Sequence, residues 1–181
     1  MKNILQNSKD KKHIIKMYTK HPDGDTYDGI VLGVDRSIVV FQDTSEFSIE
    51  GVSILPRKWI TEIRDGEFED CYDKILRQNN EIKNLNRKKW VNELSSVKEA
   101  IEVIHKKSIW PSIEVYDGNK ETAMFLGPIT DVRASKFSVH AYDAAGNWEE
   151  EYDIKYTEVF CIQLFNQYTE RFNKYMETLN K

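Results

Sequence analysis

Residues 27–64 read YDGIVLGVDRSIVVFQDTSEFSIEGVSILPRKWITEIR, and this stretch decides the fold. Apolar β-formers run through 27–34 with Gly29 and Gly33 embedded, and glycine inside a strand marks a bulge or a sharp bend. A tight polar link at Asp35-Arg36-Ser37 leads to Ile38–Phe41. After the 42–51 segment, read as a loop, come Val52–Leu55, Pro56, and Trp59–Ile63. Pro56 has no N–H to give to a ladder, so it belongs at a strand break. Upstream, HIIKMYT at 13–19 is strand-like and runs into turn residues Pro22, Asp23 and Gly24. The expectation is five short strands.

The pattern recurs. Tyr18 and Tyr116, Gly29 and Gly127, Val34 and Val132, and Ser37 and Ser135 are identical pairs at an offset of 98. Beyond the next hairpin the offset becomes 100, as Ile54 matches Ile154. The stripe Phe68, Tyr72, Ile75, Leu76 then falls on Tyr168, Phe172, Tyr175, Met176. These spacings of four, three and one place each set on one helix face, expected to lie against the strands it follows. Repeated order with a repeated terminal helix points to duplication. The fold class is therefore mostly β with accessory helices (α+β), two tandem five-stranded units each followed by a helix. The domains are 1–78, a connection at 79–95, and 96–181. Residues 1–12 are polar without a period and are read as a lead-in, while Ser96 and Glu99 form a capping box that starts a helix.

DGIVLGVD followed by GVSILPRKWITEIR resembles the SH3-like small barrels of the Sm and Sm-like class. With YDAAGNW at 142–148 and TERFNKYM at 169–176, the chain also resembles uncharacterised bacterial proteins built from two such units. The resemblance implies barrels closed by a bent sheet and, as an alternative function, RNA binding. The Asp-x-Asn turn of the RNA binders is Asp35-Arg36-Ser37 here and Arg133-Ala134-Ser135 in the second copy, so only Asp35 carries over.

A net charge of −4 and a pI near 5.7 give no general field for polyanions. No run of apolar residues reaches signal-peptide or membrane-span length, so a cytoplasmic location is expected. Cys71 and Cys161 are too few for a disulfide framework and are both expected to be reduced and buried. His13, His21, His105 and His140 lie in separate elements, and structural or surface roles are expected for them; no metal site or cofactor is predicted. Glu149, Glu150 and Glu151, with Asp143 and Asp153, read as a solvated hairpin, because consecutive strand residues face opposite ways.

No glycine-rich phosphate loop, GxSxG elbow or HExxH motif occurs, so no catalytic function is predicted. The favoured reading is a non-catalytic interaction module, regulatory or immunity-like, engaging a protein partner through Trp148, Tyr142 and Phe47. Trp148 is also read as a lid over the strands. The alternative is Sm-like RNA binding, for which Arg87, Lys88, Lys89 and Trp90 combine cations with an aromatic. A small unrecognised enzyme is the third reading. Function is expected where the copies diverge, chiefly at 42–51 and 142–151.

Overall fold

The computed structural model describes residues 2–86, 88–118 and 121–179. It is mostly β in an α+β arrangement, with antiparallel sheets. The chain divides into two compact units, 1–95 and 96–181.

In the first unit the order is α1 (Lys2–Lys11), β1 (Ile14–Thr19), β2 (Thr26–Val34), β3 (Ile38–Ser45), β4 (Ser48–Pro56), a 3-10 turn at Arg57–Trp59, β5 (Ile60–Arg64) and α2 (Glu67–Gln78). The strands lie side by side as β5-β1-β2-β3-β4, all antiparallel. Pro56 ends β4 opposite Ile38, where its missing N–H costs no interior bond. Five consecutive residues of β3, Ile38–Gln42, are buried, so this strand is covered on both faces.

Helix α1 replaces the expected lead-in. Its burial rests on Leu5 and Ser8 alone, which is too little for a periodic signal. What holds it is a buried hydroxyl: Ser8 Oγ donates to the His13 carbonyl at 2.6 Å and accepts from Val31 N at 3.1 Å. The 42–51 loop is also corrected. β3 and β4 run on to a two-residue turn at Glu46 and Phe47, with φ of 47° and 61°. Both central residues of a type I′ turn need positive φ, usually from Asn-Gly, and this sequence holds the geometry with bulkier residues. The 79–95 connection packs into the first unit: Leu85, Val91 and Leu94 are buried, and Ser37 Oγ donates to the Ser95 carbonyl at 2.6 Å.

The second unit runs α3 (Val97–Lys106), β6 (Ser112–Tyr116), β7 (Thr122–Leu126), β8 (Ile129–Val132), β9 (Lys136–Tyr142), β10 (Trp148–Lys155), β11 (Val159–Leu164) and α4 (Gln167–Leu179). Ser96 caps α3 by accepting from Glu99 N at 3.1 Å, as its spacing predicts. The strands pair as β11-β6-β7 and β8-β9-β10. At an offset of 98, β7 and β8 together occupy the place of β2. Gly127-Pro128 breaks in two what Gly29 and Gly33 only bend. The same adjacency of elements therefore recurs in both units.

Candidate functional site

Both units attach the helix that follows their last strand by a polar seam. In α2 the buried residues are Glu69, Asp73 and Leu76, whereas Phe68, expected on the buried stripe, is 75% exposed. In α4 the buried residues are Thr169 and Met176, and Tyr168 is 57% exposed. The seam works because its polar members are all bonded, as buried polar groups must be. Glu69 receives Arg64 Nε at 2.9 Å and Gly66 N at 3.0 Å; Asp73 receives Arg77 Nε at 2.6 Å. In the second unit Asn173, one hundred positions on from Asp73, accepts from Tyr142 Oη at 2.6 Å and donates to the Trp110 carbonyl at 2.9 Å. Phe68 and Tyr168, at the start of the two helices, are left outward, while Tyr72 and Phe172 stay half-buried against the cores. The sequence contains this signal: 69, 73 and 76 share a helix face as surely as 68, 72 and 75, and Arg64 and Arg77 stand ready as partners.

In the first unit this face borders a groove of about 290 Å³. Its floor is Ile14 and Lys16 of β1 with Asp28 of β2; its walls are Phe68, Tyr72 and Ile75 of α2 and Phe47 at the hairpin tip. The two walls touch, the rings of Phe47 and Tyr72 lying 4.6 Å apart while Phe47 N donates to Tyr72 Oη at 2.9 Å. A left-handed conformation at a bulky residue costs about 1–2 kcal/mol, and such strain clusters at functional sites. Charges on the groove are internally satisfied: Lys16 Nζ lies 2.8 Å from Asp28 and Arg64 Nη2 lies 2.8 Å from Glu69. Arg64 also covers the Phe68 ring at 5.1 Å. What is presented to a ligand is aromatic surface beside neutralised polar groups.

The residues singled out from sequence are dispersed. Phe47 lines this groove and is 43% exposed. Tyr142 is 3% exposed, a core ring of the second unit packed with Leu126 and Met176. Trp148 is half-buried, stacked on His140 at 4.6 Å and set edge-on to Trp110 at 5.8 Å and Tyr142 at 5.9 Å, the lid-like placement. Lys88 and Lys89 are exposed, Lys89 lying 3.4 Å from Glu93, and Trp90 is half-buried; Arg87 lies outside the described residues.

The titratable candidates are held by local partners. Cys161 is buried, but Cys71 is exposed and borders the groove, because it sits 200° around α2 from Glu69 of the seam. The acids at 143–153 do not converge. Asp143 Oδ1 accepts from Ala145 N and Asn147 N at 2.8 Å, bonds that hold its carboxyl below the usual range. Asp153 is held well below that range by hydrogen bonds from Arg133, Lys136 and Ser138. His13 Nε2 lies 3.0 Å from Asp65, His105 Nδ1 meets the Ile129 carbonyl at 2.8 Å, and His21 Nδ1 lies 3.1 Å from Asp25. Asp43 departs most from ordinary behaviour: burial pushes its carboxyl up to about 7, Ser53 opposes by donating a 2.5 Å bond, and Glu50 adds to the rise.

Set against protein-family models, curated proteins and solved structures, the chain matches none. No described helix is long and apolar enough to cross a membrane.

Proposed function

We propose that the chain is a non-catalytic interaction module that engages a protein partner, regulatory or immunity-like in kind, through the groove beside α2. The observation that carries this is Phe68: a large aromatic 75% exposed, on a helix whose buried positions are given to bonded polar residues instead. Exposed aromatics beside a preformed concavity are the usual anchors of protein recognition. Tyr168, at the equivalent position, repeats the exposure in the second unit, so an outward aromatic at the head of the helix recurs in the repeat.

Each unit is read here as an SH3-like small barrel of the Sm type. The strand order of the first unit, its glycine bends and the 3-10 turn before β5 support that reading. A helix ahead of the first strand, α1 in one unit and α3 in the other, adds to the likeness.

Selection of displayed peptides on the full chain tests the proposal. Peptides with an apolar or aromatic anchor should be enriched on the wild type and lost on Phe68→Ala. Enrichment unchanged by Phe68→Ala, or no enrichment, overturns it.

A further inference from the structure

Helix α4 of the second unit carries an apolar ridge that its own strands do not cover. Tyr168, Phe172, Tyr175 and Leu179 follow one another at spacings of four, three and four, the repeat by which one helix packs along another. Tyr168, Tyr175 and Leu179 are each at least half exposed, while Phe172 is half-buried against the core of Leu126, Tyr142 and Met176 and ties the ridge to it. The rings run in a chain along the helix, Tyr168 to Phe172 at 5.9 Å and Phe172 to Tyr175 at 6.3 Å. Contiguous aromatic surface of this kind marks an interaction site.

The ridge is held in place before anything binds. Asn173 fixes the rotation of α4 by accepting from Tyr142 Oη and donating to the Trp110 carbonyl. Tyr175 rests on the 143–147 turn at Gly146, where a Cβ would stand 3.0 Å from Tyr175 Cε1 and where φ is 82°. Asp143 Oδ1, accepting from Ala145 N and Asn147 N, closes that turn. Little ordering is left for a partner to bring about.

Charge selects the occupant. At 3.6 residues per turn Arg171 stands beside the ridge, on the side away from the buried Thr169 and Met176, and Lys174 lies one step further round. Both are exposed, and neither has a carboxylate partner among the described residues, on a chain whose net charge is −4. A second copy of α4 laid antiparallel along the ridge would set Arg171 against Thr178, which brings no counter-charge. A helix with glutamate or aspartate beside its own apolar stripe brings one.

We propose that α4 is the docking surface for an acidic amphipathic helix of a partner protein. The stripe of that helix packs along Tyr168, Phe172, Tyr175 and Leu179, and its carboxylates meet Arg171 and Lys174 at the rim. The ridge from 168 to 179 is about 17 Å long, so two heptads of partner helix cover it. This surface is separate from the α2 groove and stands or falls independently of it.

Two synthetic two-heptad peptides with the same leucine stripe, one flanked by glutamates and one by lysines, test the inference when titrated with the full chain and followed by fluorescence anisotropy. The glutamate peptide should bind saturably, and the lysine peptide roughly ten-fold more weakly. Arg171→Glu with Lys174→Glu should reverse that preference. Tyr168→Ser with Leu179→Ser should weaken the glutamate peptide roughly ten-fold. All four positions are exposed, so circular dichroism should stay that of the wild type. Equal binding of the two peptides, a preference untouched by the charge reversal, or loss of binding on Phe68→Ala, which would move the site to the α2 groove, each overturns the proposal. So does self-association or binding to phosphatidylserine vesicles with no peptide bound.

Discussion

Gly127 passes so close to the carbonyl oxygen of His140 that no side-chain carbon fits between them. Ninety-eight residues earlier Gly29 stands in the same relation to the Gln42 carbonyl, with Phe41 Cδ2 only 2.8 Å from where a Cβ would be. The two strands cross at a backbone-to-backbone approach that only glycine permits, and the duplicated sequence keeps glycine at both places.

Alanine at either site must push two strands apart. Gly127→Ala adds a left-handed penalty, because φ is 148° there. The expected loss is about 2–4 kcal/mol for each, larger for Gly127, read as a lower urea midpoint. A midpoint unchanged in either variant would contradict the shared crossing.

The polar seam predicts a sharp contrast along one helix. Leu76→Ala and Met176→Ala remove fully buried anchors and should cost about 2–5 kcal/mol each. Phe68→Ala, two turns away on the exposed side, should stay within about 0.5 kcal/mol. Thermal unfolding of the three variants checks this, and a large loss from Phe68→Ala would place that ring in the core.

Asp43 sets a pH dependence of definite sign. Its folded carboxyl, up to about 7, keeps a proton that the unfolded chain gives up near 3.8. The stability it contributes is complete below about pH 4 and is lost as pH rises through about 7. At about 1.4 kcal/mol per pH unit the full effect is about 4 kcal/mol; Asp43 is half-buried, and partial solvent screening brings this to about 2–4 kcal/mol. Asp43→Asn cannot ionise, so it should lose this dependence and exceed the wild type in stability at pH 8. Parallel denaturation curves for the two proteins from pH 4 to 8 would refute the assignment.

The strand positions along the chain, the turn at Asp35-Arg36-Ser37, the Ser96 cap and the duplication are all legible in sequence, because glycine bends and apolar runs are local signals. Helix α1 is not, since its docking depends on one serine hydroxyl reaching Val31 across the fold. The stripes of α2 and α4 hold at Leu76 and Met176, and their first positions are misread for a related reason. Hydrophobic periodicity assigns Phe68 and Tyr168 inward, and it has no way to weigh Glu69 and Asp73, whose burial is made acceptable by arginines at 64 and 77. Phe47 is visible as a candidate, but the left-handed turn that aims it at Tyr72 is not, because Glu-Phe carries no turn signature.

Photo-cross-linking from position 68 tests the functional account most directly. With benzoylphenylalanine in place of Phe68 in the organism that makes the protein, the account predicts a discrete cross-linked partner that disappears when Phe47→Ala and Tyr72→Ala remove the ring contact that joins the two walls. Cross-links that are absent, or that persist unchanged in that double variant, would contradict it.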